Sequence, residues 1–223
     1  MVPVDNEGAE RDAPLTAEKT RRTVPLPLTV FFVVAALVAG FVLGRPGHPL
    51  DTSADAGFLR DMSTHHAQAV DMAMIIYDET DEPRLKAVSY DIARTQQAQI
   101  GRMQGWLVQW GLTARGSQPP MTWMAGHDHG GPSGGAPDRM PGLATDEQMR
   151  SLADASGTDA EILFLELMIA HHKGGIEMAE AGADLAGDQM VVTLAGGMGT
   201  AQQSEIDLMN DMLVERGAEP VDD

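Results

Sequence analysis

The stretch FLRDMSTHHAQAVDMA at residues 58–73 decides the fold, because it returns at residues 164–180 as FLELMIAHHKGGIEMAE. Each copy carries two adjacent histidines, with one methionine before the pair and another after it. From His65 to His171 the offset is 106 residues, and the same offset relates a second, downstream pair of segments. In those segments Gln96, Ile100, Met103 and Leu107 match Gln202, Ile206, Met209 and Leu213. The chain therefore contains one sequence unit twice.

End signals divide the first unit, hairpin 1 at residues 55–111, into two helices. The first helix covers about 55–79. The second starts at Pro83, a favourable residue for a first helical turn, and ends at Gly111. A loop rich in glycine, proline, histidine and methionine follows at 112–144.

Capping-box patterns mark two further helix starts. Thr145 with Gln148 predicts the start of a short helix at 145–155. Thr158 with Glu161 predicts the same capping arrangement at the start of the third long helix.

Hairpin 2, at residues 158–217, holds this third helix, which ends near Leu185, and a fourth at about 188–216 before Gly217. One amphipathic hairpin cannot bury its apolar face alone, whereas two hairpins packed together can. No convincing β-pattern is present. The predicted fold class is therefore all-α: an antiparallel four-helix bundle with pseudo-two-fold symmetry at residues 55–217.

An uncharged stretch, PLPLTVFFVVAALVAGFVLG, occupies residues 25–44. At about 1.5 Å per residue it covers roughly the 30 Å hydrocarbon core of a bilayer. Basic residues cluster before it, at Lys19, Arg21 and Arg22, and only Arg45 follows closely, so the N-terminus is predicted to be cytoplasmic and the bundle extracytoplasmic. The remaining segments are a disordered cytoplasmic tail at 1–24, a linker at 45–54 and a C-terminal tail at 218–223.

The composition of the chain argues against some classes of partner and favours others. The formal net charge of −18 argues against nucleic acid, because phosphate binding needs a basic surface. With no cysteine there is no disulfide, thiolate ligand or cysteine nucleophile. The chain has 15 methionines, whose thioethers either fill gaps in a core or bind soft ions such as Cu(I).

Helical projection places the two histidines of each copy on either side of a buried stripe. With 100° per residue, Met62 falls between His65 and His66, and Met168 falls between His171 and His172. Gln96 and Gln202 fall on the apolar stripes of their own helices. Burying so many polar rings is costly without partners.

Two interpretations of these positions remain open. In one, the histidines form a satisfied structural network in which Gln96 and Gln202 bond the imidazoles. In the other, they bind a metal, and the two glutamines orient the rings from behind. Duplication weakens the metal interpretation, because copying a hairpin would also copy a histidine pair that has no function.

The loop offers a second constellation, MTWMAGHDHGGPSGGAPDRM at residues 121–140. A His-x-His pair with nearby methionines in a glycine-rich loop is a plausible copper or silver binder, and a solvated linker is the alternative. Trp123 either packs on a soft cation or anchors the loop to the bundle. The candidate ligands here are Met121, Met124, His127 and His129.

The doubled histidine-pair hairpin, with TAQQSEIDLMNDML at residues 200–213, resembles a bacterial family known as domain of unknown function 305. The resemblance covers about residues 54–217 and implies a ferritin-like four-helix bundle, secreted or membrane-anchored. Some members bind copper in the periplasm through methionine and histidine. Carried over by position, this implies the ligands Met62, His65, His66, Met72, Met168, His171, His172 and Met178.

The sequence thus predicts a non-enzymatic, anchored extracytoplasmic binder of Cu(I), with Cu(II) and Ag(I) as further candidate ions, for metal tolerance or delivery. No nucleotide or organic cofactor is expected. The alternative is an envelope structural or interaction domain with a buried His/Gln/Met network. A metal-dependent oxidoreductase is the third choice, since the chain lacks the Glu-x-x-His motif of di-iron bundles.

We predict that residues 25–44 stay in the mature chain. A cleaved, secreted form is the competing possibility, but the stretch LVAG at 37–40 is followed by Phe41 where a lipoprotein cleavage box requires cysteine. Mass spectrometry of protein extracted from membranes measures the mature N-terminus. A terminus near Phe41 would show that the segment is a removed signal.

Overall fold

The computed structural model describes residues 25–44, 47–125, 137 and 139–221. The chain divides into two compact units, one ending at Gly47 and the other starting at His48. The first unit contains helix α1, Leu26–Leu43, whose side chains are all exposed and whose mean hydropathy is 2.6. By length and composition α1 could cross a membrane, and a signal sequence would have the same properties.

The described residues of the second unit form helices joined by loops, with no strand among them. This confirms the predicted all-α class. In the described part of the long loop, Thr122–Met124 forms a 3-10 turn. The α-helices are α2 Ala54–Glu79, α3 Pro83–Gln109, α4 Asp146–Asp154, α5 Gly157–Leu185 and α6 Gln189–Glu215.

The two hairpins meet through α2 and α5, the helices that carry the histidine pairs. Helix α2 packs along α3, α5 packs along α6, and α2 packs against α5. A Cβ on Gly182 would lie 2.5 Å from the Phe58 ring, so the end of α5 approaches the start of α2. At the opposite ends, Thr80 donates a hydrogen bond to Glu161 at 2.5 Å. The central helices are therefore antiparallel, as the bundle prediction requires.

Both hairpins end in the same way, which shows that the sequence repeat is also a structural one. Gly111 and Gly217 each adopt a φ of 75°, a left-handed conformation that favours glycine. The following amides, of Leu112 and Ala218, donate to the carbonyl groups of Leu107 and Leu213 at 2.8 and 3.1 Å.

The two predicted capping boxes have different outcomes. The box of Thr145 with Gln148 is present at the start of α4. The box predicted for Thr158 with Glu161 is wrong, because α5 already begins at Gly157. Glu161 instead accepts hydrogen bonds from Thr80 and from Arg216, the latter at 2.7 Å. A charged tertiary partner thus replaces the local backbone bond.

The core consists of two apolar clusters. The Phe58 cluster includes Phe58, Met62, Trp123 and Met178. The Phe164 cluster includes Met72, Ile76, Phe164 and Met168. Along both α2 and α5 the histidine pair stands between the residues of one cluster and those of the other. A layer of imidazoles therefore separates the two halves of an otherwise apolar core.

Candidate metal site

Four imidazoles form what we call the histidine layer: His65, His66, His171 and His172. Each is no more than 1 % exposed. The rings of His65 and His171 face each other across the contact of α2 and α5, with centroids 3.8 Å apart and planes tilted by 36°. The outer rings lie 6.4 and 6.2 Å from their inner neighbours. The helical periodicity that put these residues on a buried face thus brings all four together.

The inner pair has a defined proton arrangement. Nε2 of His65 lies 3.0 Å from the carbonyl oxygen of Pro141, and Nε2 of His171 lies 2.9 Å from the carbonyl oxygen of His65. A carbonyl oxygen can only accept a hydrogen bond, so both Nε2 atoms carry the proton and donate. The Nδ1 atoms of these neutral rings therefore hold lone pairs.

The outer pair is bonded by residues that the sequence analysis did not select. Nε2 of His66 donates to Oε1 of Gln99 at 2.7 Å, and Nε2 of His172 donates to Oε2 of Glu205 at 2.6 Å. Both bonds span 33 residues, so Gln99 and Glu205 occupy equivalent places in the two hairpins. In the sequence, the signal for these two residues was their equal distance of 33 residues from the second histidine of each pair.

All four Nδ1 atoms are buried and have no hydrogen-bond partner. Buried polar atoms in proteins are nearly always bonded, so four orphaned lone pairs in one layer require an explanation. An imidazole whose other nitrogen is held by an acceptor is the usual form of a metal-ligating histidine. The layer therefore has the donor chemistry that a soft or borderline metal ion needs.

Burial favours the neutral form of three of these rings, His65, His66 and His171. Desolvation lowers the pKa of His65 to about 4 and that of His66 to about 3, although hydrogen bonds to Pro141 and Gln99 act in the opposite direction. Desolvation and the neighbouring imidazoles also hold the pKa of His171 well below its usual value of 6.5. A neutral imidazole is the protonation state that binds metals.

Thioethers flank the layer on both sides. Met62 and Met178 belong to the Phe58 cluster, and Met72 and Met168 belong to the Phe164 cluster. All four are fully buried. Within the described part of the chain, no three His, Asp or Glu side chains are arranged to hold a metal by themselves. A metal site in this layer would therefore draw on methionine sulfur as well as on imidazole nitrogen.

The expected hydrogen bonds from Gln96 and Gln202 to the imidazoles are wrong, because other oxygens occupy Nε2 of every ring. Oε1 of Gln96 and both polar side-chain atoms of Gln202 are buried without a partner. Gln202 packs against Gly175, where a Cβ would lie 2.2 Å from its Oε1. These amides add three orphaned polar atoms to the interior of the bundle.

Part of the long loop is buried in the hydrophobic core. Met121 and Met124 are buried in the Phe58 cluster, beside Met62 and Met178, rather than in a solvated segment. Trp123 anchors them: its ring packs edge-on against Phe58 at 5.7 Å. The other candidate ligands of the loop, His127 and His129, lie outside the described residues.

Asp61 ties this loop to α2. Its carboxylate accepts hydrogen bonds from the backbone amide of Met121 at 2.6 Å and from Nε1 of Trp123 at 2.9 Å. Burial raises the pKa of Asp61 despite these two donors. Met121, whose amide makes the first of these bonds, adopts a positive φ of 65° at this point of the loop.

The returning end of the loop fixes the carbonyl group that His65 needs. Gly142, with a φ of 71°, lets the chain lie on α5 next to Gly174. A Cβ on Gly174 would lie 2.2 Å from the carbonyl oxygen of Pro141. The absence of a side chain at Gly174 therefore allows Pro141 to reach His65 across 76 residues of sequence.

Comparison with known proteins identifies close structural relatives. The family described as "Domain of unknown function (DUF305)" matches residues 55–213. A DUF305 protein from Streptomyces coelicolor, described as secreted, is 46% identical with a TM-score of 0.69, over 77% of this chain and 98% of that one. A DUF305 fragment from Deinococcus radiodurans is 28% identical with a TM-score of 0.61, over 75% and 99%.

A further similarity is to CopM, solved in Cu(I)-bound and Cu(II)-bound forms. It is 25% identical with a TM-score of 0.54, over 72% of this chain and 96% of that one. No curated protein matches the chain. These relatives support the helical bundle independently of the sequence repeat.

We predict that Gly174→Ala destabilises the bundle. The new Cβ would meet backbone atoms of Pro141 and Gly142, which cannot move without disturbing His65, so we expect a loss of about 1–3 kcal/mol in the free energy of unfolding. The control is Gly196→Ala, on an exposed face of α6 with open space around it, which should stabilise by up to about 1 kcal/mol. Denaturant unfolding measures both, and equal stability of the two variants would contradict the packing argument.

We also predict that the metal-free protein loses stability on mild acidification. Unfolded histidine titrates near 6.5, whereas folded His65 and His66 titrate near 4 and 3, so the unfolded chain binds more protons between these values. The stability that these neutral histidines contribute is fully present above about pH 7 and is lost as the pH falls below 6.5. Each such histidine costs up to about 2 kcal/mol by pH 5.

The comparison for this prediction is His66→Gln. This variant keeps Asp61, so any effect of Asp61 titration is the same in both proteins. It should lose less stability than the wild-type chain between pH 7 and 5. Thermal melts at several pH values measure the difference. Parallel curves for the two proteins would show that His66 titrates normally in the folded state.

Proposed function

The chain belongs to the DUF305 family, and from this membership and the histidine layer we propose that it is a membrane-anchored, extracytoplasmic binder of a soft metal ion. Cu(I) is the ion that we propose first, with Cu(II) and Ag(I) as further cargo. The protein would hold or hand over the ion in metal tolerance or delivery. We propose binding rather than catalysis.

One observation carries this proposal: four buried Nδ1 lone pairs without partners, in rings whose Nε2 atoms are all hydrogen-bonded. A purely structural histidine would be expected to satisfy both nitrogens or to expose one. Here the second nitrogen of every ring is desolvated and available. Metal binding at these atoms would leave every existing Nε2 hydrogen bond intact.

The donor types favour a soft ion. Cu(I) accepts two to four nitrogen and sulfur ligands, whereas Mg²⁺ and Ca²⁺ require oxygen. Side chains three or four residues apart on a helix are neighbours. Met62 with His65 or His66 has this spacing, and Met168 with His171 or His172 repeats it. These six residues are the ones that we propose would hold the ion, with Met72 and Met178 as further candidates.

The relatives and the rest of the chain agree with this proposal. CopM, a bundle of the same fold, binds copper in both oxidation states in its solved forms. The apolar helix α1 would anchor the chain and leave the bundle outside the cytoplasm. An excess of 33 acidic over 15 basic residues would attract cations to the surface.

A second candidate is a structural or interaction domain in which the histidine layer joins the two hairpins. The observation that favours it is that all four Nε2 bonds are already made within the protein. The bond from His171 to the backbone of His65 crosses directly between the hairpins. Under this interpretation the bundle would bind no metal, and elemental analysis separates the two candidates.

We predict that exposure of the bundle to Cu(I), followed by desalting, leaves copper bound. Replacing the four layer histidines by glutamine should weaken both Cu(I) and Zn²⁺ binding. Met62→Leu with Met168→Leu nearly conserves volume and should weaken Cu(I) binding far more than Zn²⁺ binding. The matched control is Met74→Leu with Met190→Leu, since these two methionines are 43% and 45% exposed.

Competition against a chromogenic Cu(I) chelator measures these affinities, with helicity checked by circular dichroism. If both layer variants retain the wild-type affinity, the site belongs to the loop with Met121, Met124, His127 and His129. If a variant of that loop is also unaffected, or if the wild-type chain retains no metal, the metal interpretation is wrong.

A further inference from the structure

The two halves of the histidine layer are related by the repeat but are not chemically equal. We call the α2 half-site the set Met62, His65 and His66, and the α5 half-site the set Met168, His171 and His172. The outer ring of the first donates to Gln99, and the outer ring of the second donates to Glu205. The two bonds are alike in length, 2.7 and 2.6 Å, and both acceptors are half-buried. Only the charge of the acceptor differs.

A carboxylate fixes the proton of the ring, and an amide does not. Glu205 can only accept, so the His172 proton must sit on Nε2 and Nδ1 always presents a lone pair. The amide of Gln99 can present its NH2 group after a rotation about its last bond. His66 would then carry its proton on Nδ1 and could not bind a cation through that atom. The α2 half-site therefore has to select one tautomer before binding, and the α5 half-site does not.

The carboxylate also supplies charge to a ligand set that has none. Thioethers and neutral imidazoles leave the positive charge of a bound ion uncompensated inside a core. Glu205 is one hydrogen bond away from His172, and its side chain is 28% exposed, so solvent only partly screens it. A carboxylate behind a ligating imidazole strengthens that imidazole as a donor. Gln99 brings a dipole but no net charge to the equivalent place.

We infer that Glu205 is a positioning residue that makes the α5 half-site bind a soft cation before, and more tightly than, the α2 half-site. This inference rests on the proposed metal-binding function and deepens it. The repeat would thus have produced two unequal halves of one layer, a tighter one and a weaker one. A pair of adjoining half-sites of unequal affinity suits a protein that receives an ion and passes it on.

The test uses the full chain in detergent, titrated with Cu(I) against a chromogenic chelator. Glu205→Gln should lower the affinity for the first equivalent of Cu(I) by about 10- to 100-fold, the usual effect of losing such a partner. Gln99→Glu should raise the affinity for the second equivalent and bring the two steps together. The charge-matched controls are Asp211→Asn and Gln97→Glu, exposed residues on the same helices, which should change neither step.

A second readout needs no metal. Nitrogen NMR of the imidazole rings in the metal-free chain should show His172 as the Nε2–H tautomer alone. In Glu205→Gln, the Nδ1–H tautomer should become detectable at His172, and in Gln99→Glu it should disappear from His66. A merely structural role of Glu205 would change stability without moving these signals.

The outcomes separate this inference from the proposed function. If the wild-type chain binds Cu(I) and Glu205→Gln binds it equally well, Glu205 has no positioning role and the inference fails alone. An equal loss in Asp211→Asn would also overturn it, because the effect would then be one of overall charge. If the wild-type chain binds no Cu(I), the proposed function fails and this inference fails with it.

Discussion

The structure depends on one constraint: four imidazoles buried at the contact of two antiparallel helices must keep their hydrogen bonds. Each ring satisfies Nε2 with an oxygen brought from elsewhere, and none of these oxygens is on the ring's own helix. That requirement sets how α3 and α6 lie against α2 and α5, and it draws the returning loop onto α5. The bundle is therefore organised around a polar layer rather than around a continuous apolar core.

Duplication explains both the strength and the unevenness of this arrangement. Two hairpins of one sequence unit share an apolar face and close on each other, with His65 stacked on His171 near the pseudo-two-fold axis. The pseudo-two-fold symmetry is broken where the long loop contacts the histidine layer. His65 donates to Pro141, whereas its counterpart His171 donates to the backbone of His65 itself. Only one long loop joins the hairpins, so it can serve only one of two equivalent rings.

The methionines have a physical role whether or not an ion is bound. Four of them, Met62, Met72, Met168 and Met178, are fully buried in the apolar clusters beside the histidine layer, and Met121 and Met124 join the Phe58 cluster. A thioether packs as a flexible hydrophobe and can still turn its sulfur toward a soft cation. A core rich in methionine can thus remain dry and packed when empty and offer ligands when loaded.

The sequence by itself determined the repeat, the number and extent of the helices and the buried face that carries the histidines. These properties depend on local spacing, which helical periodicity makes readable. Only the tertiary structure decided that Gln99 and Glu205, rather than Gln96 and Gln202, hold the outer rings, and that Pro141 serves an inner one. These bonds span 33 and 76 residues. They depend on how far one helix is rotated and shifted against another, and periodicity within a helix does not contain that information.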